Sequence, residues 1–281
     1  MQIIRSASDL QRTALALRSA GKRIGCVPTM GFLHAGHLSL VKLARERSDV
    51  VILTLFVNPT QFGPQEDLAK YPRNFERDAA RCREAGVDIL FAPEAAEMYV
   101  ADASIYVVEE QLSRGLCGAS RPGHFRGVCT VVAKLFNLCL PHVAVFGEKD
   151  AQQLRIIRRM TRDLNFPVEI VSGPTLREAD GLAMSSRNTY LSADERPQAL
   201  VLKCALDEAA RIFQAGERDA TVLKTAMHRI ITQAPAAKID YVEIVDDATL
   251  EPVPTLQKPV LIALAVFIGK TRLIDNTILK S

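Results

Sequence analysis

The chain has 281 residues, 48% of them hydrophobic, which is enough apolar material for one large core or two moderate ones. A formal charge of +3 is too mild for a nucleic-acid-binding surface, and the longest apolar run, 260–269, is about half a membrane span. The N-terminal stretch MQIIRSASDLQRTALALRSAGKR has neither a continuous apolar segment nor a cleavage-like site. The six cysteines (Cys26, Cys82, Cys117, Cys129, Cys139 and Cys204) form no C-x-x-C pair, and most sit inside apolar runs as small core residues do. A reducing, cytoplasmic setting with neither nucleic acid nor membrane as partner is expected.

Taken in chain order, the runs 23–29 (RIGCVPT), 50–57, 87–93, 105–109, 143–147 and 167–171 read as strands. They are near-continuous in Val, Ile and Leu, as suits strands covered on both faces. Helical patterns fall between them at 36–48, 74–86, 128–140 and 150–164. This alternation predicts an α/β domain over 1–175, a Rossmann-like doubly wound parallel sheet with right-handed crossovers. Beyond it the texture changes. Residues 192–234 read as two helices, with Ser192 or Asp194 capping the first and AGERDA breaking to the second. The runs 238–246, 259–269 and 271–279 read as antiparallel strands, so 176–281 is expected to form a second, smaller α+β domain.

Ligands of a doubly wound sheet lie beyond the carboxyl ends of its strands. Four polar, glycine-bearing stretches fall there: PTMGFLHAGH (28–37), NPTQFGPQEDL (58–68), GEKDAQQ (147–153) and ADGLAMSSRN (179–188). Neither G-x-x-x-x-G-K-[ST] nor G-x-G-x-x-G is present, which removes the main support for P-loop and dinucleotide readings. In H-x-G-H the helix should begin near Gly36, so His34 and His37 would lie at or within its first turn. There the unpaired N–H groups and the positive end of the dipole favour phosphate, and imidazoles can hydrogen-bond phosphoryl oxygens as charge builds. The rival readings are one capping and one packing histidine, or a metal site, for which no third ligand is evident nearby. His142 and His228 read as structural or solvated. The stretch GLCGASRPGHFRG (115–127) reads as a flexible lid or a plain surface loop, with His124 and Arg126 as candidates.

H-x-G-H after the leading strand resembles the HIGH signature of the nucleotidylyl-transferase superfamily, and MSSRN (184–188) resembles a reduced KMSKS signature with Arg187 in place of lysine. With FVNPTQFGPQEDLAKYPR, RPGHFRGVCTVVAKLFN and FGEKDAQQL, the chain is identified as a member of the pantoate–β-alanine ligase family, in order and over essentially its whole length.

The resemblance implies a ligase whose pantoate carboxylate attacks the α-phosphorus of ATP, releasing pyrophosphate. β-Alanine then displaces AMP from the pantoyl adenylate. It assigns ATP to Met30, Gly31, His34, Gly36, His37, Gly147, Glu148, Lys149, Asp150, Leu176, Met184, Ser185, Ser186 and Arg187. His34, His37, Lys149 and Arg187 are the expected catalytic groups, the two cations answering charge on the phosphates. Gln61 and Gln153, with Asn58, are expected to hold pantoate and β-alanine. Neutral amides can pair with a carboxylate that must stay nucleophilic, whereas a tight salt bridge would stabilise the ground state too far. Met30 and Phe56 would shape the pocket wall. Mg²⁺ should enter with ATP, with Asp78 as an outer ligand. The family is homodimeric, and its C-terminal domain is expected to act as a lid. The rival functions are a nucleotidyltransferase that stops at an adenylated product and an RNA-binding relative of the tRNA synthetases. Against the former, nothing basic or aromatic awaits a second, nucleotide-like substrate; against the latter stand the +3 charge, the lack of Trp and the absence of an anticodon-like module.

Overall fold

Strand and helix alternate as far as residue 174 because apolar runs too short for helices are separated by amphipathic helical stretches. The computed structural model describes residues 1–257 and 259–280, and it divides into two units. The first contains Met1–Gln111, Arg121–Glu148 and Gln153–Pro174; the second contains Leu112–Ser120, Lys149–Gln152 and Thr175–Ser281.

The first unit carries a six-stranded parallel sheet: β1 (Gln2–Ile4), β2 (Ile24–Thr29), β3 (Val50–Leu55), β4 (Ile89–Phe91), β5 (Val143–Gly147) and β6 (Glu169–Gly173), in the order β1-β4-β3-β2-β5-β6. Its helices are α1 (Ala7–Ser19), α2 (Ala35–Arg45), α3 (Phe75–Glu84) and α4 (Ala95–Met98). The second unit supplies α5 (Leu116–Ser120), and α6 (His124–Cys139) and most of α7 (Ala151–Asp163) return to the first. Strands β2, β3 and β4 are buried almost throughout. Each fully enclosed side chain such as Ile24, Ile52, Leu53 or Phe91 contributes about 1.5–3 kcal/mol. The doubly wound α/β class expected from the sequence is thus present.

Two elements differ from expectation. The run 105–109 forms no strand: Ile105 is 85% exposed and Val108 57%, so no neighbouring strand covers it. The sixth strand is instead Gln2–Ile4, whose three residues pair with Ile89–Phe91. It is followed by α1, where Ser6 accepts from the Asp9 N–H at 3.4 Å.

The second unit packs α9 (Val201–Gln214) and α10 (Ala220–Ile231) on an antiparallel sheet of β7 (Ala237–Asp246), β8 (Val260–Ile268) and β9 (Thr271–Leu279). Central strand β8 is buried at eight of its nine positions, which explains its uninterrupted apolar sequence. A short helix, α8 (Glu195–Gln198), precedes α9. Asp194 is its N-cap residue but makes no side-chain cap bond, which Ser192 supplies: the Ser192 hydroxyl accepts from the Glu195 N–H at 3.2 Å while the Glu195 carboxylate accepts from the Ser192 N–H at 2.9 Å. Among the described residues, no helix is long and apolar enough to cross a membrane.

Candidate active site

The strand order reverses between β2 and β5: the chain runs from β2 through β3 to β4 on one side, and from β5 to β6 on the other. The crevice beyond the carboxyl ends of β2 and β5 is therefore the expected ligand position in the first unit. H-x-G-H leaves β2 there.

Four successive main-chain N–H groups in this exit turn are each taken by a side chain. Gly31 donates to Thr29 Oγ1 (3.2 Å), Phe32 to Asp78 Oδ2 (2.6 Å), Leu33 to Asp78 Oδ1 (2.8 Å) and His34 to His37 Nδ1 (3.3 Å). His34 is the N-cap of α2, in extended conformation, and His37 is its third residue; the ring centroids stand 4.0 Å apart. The first turn of α2 holds no acidic residue, so its positive end meets no carboxylate from its own helix. Because His37 Nδ1 accepts, its hydrogen sits on Nε2, a donor suited to a phosphoryl oxygen. Met30 and Gly31 precede the pair, and Gly36 is in the first turn between them.

Asp78, expected as an outer metal ligand, is put to a different use. It is 1% exposed on α3, with both oxygens engaged by the turn. Among the described residues, no cluster of three His, Cys, Asp or Glu side chains could hold a metal.

Beyond β3, the 3-10 turn Pro59–Gln61 is fastened by Asn58. Asn58 is 1% exposed, and its amide is fully occupied. Nδ2 donates to Gln61 Oε1 and to the Gly127 carbonyl, both at 3.1 Å; Oδ1 accepts from the Thr60 N–H, the Thr60 hydroxyl and the Tyr99 hydroxyl. Asn58, expected to touch the acid directly, has every donor and acceptor committed to protein and orients Gln61 instead. Gln61 Nε2 faces Met30, 3.2 Å from its sulfur. Burial pushes the Tyr99 phenol up, against its hydrogen bonds with Thr60 and to Asn58, so it remains a donor. Phe56 is buried with its ring 6.3 Å from that of Tyr99.

Of the glycine-rich stretch, residues 124–127 form the first turn of α6 rather than a loop. A Cβ on Gly127 would collide with the Thr60 carbonyl and stand 2.6 Å from Gln61 Cα, so α6 lies directly against the Gln61 backbone. His124, 9% exposed, places Nδ1 2.8 Å from the Gln61 carbonyl, and its Nε2 is 3.0 Å from Arg121. Arg121 also pairs with Glu66 at 2.5 Å. Burial raises the Glu66 carboxyl, but hydrogen bonding and charge from Arg121 outweigh it and hold the group below its ordinary value. Arg126 turns away, over the Tyr106 ring at 4.6 Å. The H-F-R-G spelling at the head of α6 carried the glycine signal; nothing in sequence pointed to Tyr99 or Glu66. Gln153 is half-buried on α7, after β5, so the two glutamines follow the strands that flank β2.

Gly147 closes β5 and Glu148 follows it in the first unit, while Lys149 and Asp150 belong to the second. There the Lys149 carbonyl accepts from Asn276 Nδ2 at 2.9 Å, and Asp150 is exposed. The M-S-S-R stretch closes a small hairpin in which the Met184 N–H donates to the Leu176 carbonyl at 2.9 Å and Arg177 bridges to Ala183. Ser185 caps the 3-10 turn Ser186–Tyr190, accepting from the Arg187 N–H at 3.2 Å; Ser186 is 7% exposed. Asn188 Nδ2 donates to Glu178 (2.7 Å) and to the Ala183 carbonyl (3.1 Å), and Arg196 grips Glu178 (2.7 Å) and Asp180 (2.8 Å). Arg177 makes a two-pronged pair with Asp275, itself 2% exposed, which keeps that buried carboxylate compensated. His142 accepts the Ile24 N–H on Nδ1 at 3.0 Å, a structural role, and His228 is exposed on α10.

Residues 2–278 match the model of the family described as pantoate-beta-alanine ligase. The pantothenate synthetase of Thermotoga neapolitana is 55% identical over 279 residues, covering 99% of this chain and all of that one. The crystal structure of pantothenate synthetase from Thermus thermophilus superposes with a TM-score of 0.93 at 45% identity, covering 99% of each chain. The pantoate-beta-alanine ligase of Francisella tularensis, whose structure is described as complexed with beta-gamma ATP and beta-alanine, has a TM-score of 0.79 at 33% identity, covering 99% of this chain and 97% of that one. With the HIGH-like helix cap, the amide-lined turn after β3 and these likenesses along its length, the chain belongs to the pantoate–β-alanine ligase family of pantothenate-forming enzymes.

Proposed function

We propose that this ligase makes pantothenate in two steps on ATP, through a pantoyl adenylate, and that His34 and His37 stabilise the charge that develops on the triphosphate. One observation carries the reading: His37 Nδ1 accepts the His34 N–H at the start of α2, which fixes the ring and puts its hydrogen on Nε2, a preorganised donor at a helix N-terminus. Met30, Gly31, Gly36, Gly147, Glu148 and Asp150 contribute to nucleotide binding, as do Leu176, Met184, Ser185 and Ser186 in the second unit. Lys149 and Arg187 supply positive charge to the phosphates. Gln61, with its carbonyl oxygen pinned by Asn58, presents an amide N–H to pantoate, and Gln153 is its counterpart on α7. The bound ATP and β-alanine named for the Francisella tularensis enzyme support the same substrates here.

Both Asp78 oxygens accept main-chain N–H groups, which supports Mg²⁺ entering as the ATP complex, keeping phosphate and water ligands. The enzyme works in the cytoplasm as a homodimer. Pyrophosphate exchange tests the chemistry: labelled pyrophosphate should enter ATP with enzyme, Mg²⁺ and pantoate but without β-alanine, and exchange should vanish without pantoate. Exchange that requires β-alanine would overturn the separate adenylation step.

A further inference from the structure

The turn that delivers His34 and His37 is backbone-strained and is held from outside. Gly31 and Phe32 both have positive φ, 85° and 50°. Glycine takes that conformation freely, but in phenylalanine the Cβ crowds the following carbonyl, so the turn persists only if its surroundings impose it. Those surroundings are one face of α3. The Asp78 carboxylate receives the Phe32 and Leu33 N–H groups on separate oxygens, at 2.6 and 2.8 Å. The Leu33 carbonyl accepts from Arg77 and Arg81, and the Arg77 guanidinium lies over the Phe32 ring at 4.4 Å. Gly31 has no side chain to disturb this: a Cβ there would press on Asp78 Oδ2 at 3.1 Å. The next N–H in line is that of His34, which fixes His37.

We propose that Asp78 is a positioning residue, whose carboxylate acts through the Phe32–Leu33 peptide groups to set the angle at which His34 and His37 meet the nucleotide phosphates. The chemistry requires a carboxylate. An amide of the same shape can accept one of the two N–H groups, but it turns an NH₂ donor against the other. Displacing the turn by a fraction of an ångström leaves pantoate's subsite alone and degrades the alignment of the reacting phosphates.

This inference rests on the phosphate role proposed for the two histidines, and a double-mutant cycle separates the two. Asp78→Asn, His37→Ala and the double variant are compared by pantoate-dependent pyrophosphate exchange, with the melting temperature recorded for each. Asp78→Asn should lower kcat by about 10- to 100-fold while the KM for pantoate stays within about twofold. In the His37→Ala background the same substitution should cost less than in the parent, because one of the two groups it positions is already gone. The Mg²⁺ concentration needed for half-maximal rate should not move. An equal penalty in both backgrounds would make Asp78 purely structural, and a raised Mg²⁺ requirement would make it a metal ligand; either overturns the proposal. If Asp78→Asn does not fold, Arg77→Met/Arg81→Met, which frees the Leu33 carbonyl and uncovers the Phe32 ring while leaving the Asp78 carboxylate in place, is put through the same cycle with the same criteria. A His37→Ala enzyme of undiminished turnover would instead remove the histidine role itself.

Discussion

The main-chain N–H of His34 donates to Nδ1 of His37 across 3.3 Å, so each histidine has a share in presenting the other. Helix capping and the proposed phosphate contact therefore use opposite nitrogens of one ring, and substitution can part them. Asparagine places an acceptor where Nδ1 stands but has nothing at Nε2; glutamine extends an N–H toward the Nε2 position. His37→Asn should retain the melting temperature of the parent and lose about 10² in kcat, the usual worth of a preorganised donor. His37→Gln should lose less. Equal turnover for parent and His37→Asn would remove Nε2 from the reaction.

A second expectation concerns Gln61, which touches substrate in the proposed function but is aimed by others. Gly127→Ala forces a methyl group into the Thr60 carbonyl and the Gln61 backbone, and Asn58→Ala frees the Gln61 amide to rotate. Both should raise the KM for pantoate by about tenfold or more, with far less effect on the KM for ATP. Steady-state kinetics with each substrate varied in turn provides the check. A change confined to ATP would place Gln61 at the nucleotide.

Much of this architecture is legible in the sequence because its signals are local. Val/Ile/Leu runs mark β2, β3 and β5, and the glycine-bearing loops at their carboxyl ends mark the rim. H-x-G-H gives the helix start to within a residue. What is not legible depends on distant partners. Gln2–Ile4 is too short to stand out and is a strand only because β4 offers an edge. Ile105 and Val108 have strand-forming side chains but no neighbour to cover them. The duties of Asn58 and Asp78 could not be read from residue type, since an amide in a loop or a carboxylate on a helix looks alike whether it faces substrate or main chain. Only the partners 69 residues away, at Gly127, and 46 away, at Phe32, decide it.

Within the second unit, Arg187 and Arg196 should separate contact from support. Arg196 reaches the M-S-S-R hairpin through Glu178 and Asp180, and Glu178 in turn holds Asn188. Charge removal by Arg187→Ala should slow pantoate-dependent pyrophosphate exchange by about 10². Arg196→Met should slow it by a smaller factor, since the hairpin loses one anchor and keeps its cation. Combining the two should fall short of the product of the single effects, because both act on one loop. Full multiplicativity would show that Arg196 does not support Arg187.

The last expectation is a pH dependence of stability, set by His142. Its Nδ1 accepts the Ile24 N–H at 3.0 Å, its own main-chain N–H donates to the Ile24 carbonyl at 2.8 Å, and its carbonyl accepts from Glu169 at 3.0 Å, so it sits between β2 and β6. Burial lowers its affinity for a proton, and the charges of Arg18 and Arg23 lower it further, against a smaller opposite pull from Asp49. Folding thus favours the neutral ring, and the group titrates in the native state below the ordinary histidine value of 6.5. The associated stability is present above that value and is lost as the pH falls through the native one, because the unfolded chain binds the proton first. Glu66 behaves likewise in a separate window, its contribution disappearing only below the ordinary glutamate value of 4.5. Melting temperature should therefore decline as the pH is lowered from about 7 to about 5, before carboxylates titrate. His142→Asn keeps an acceptor near the Nδ1 position and cannot be protonated there, so its decline over that interval should be shallower. Parallel profiles for the two proteins would exclude His142 as the source.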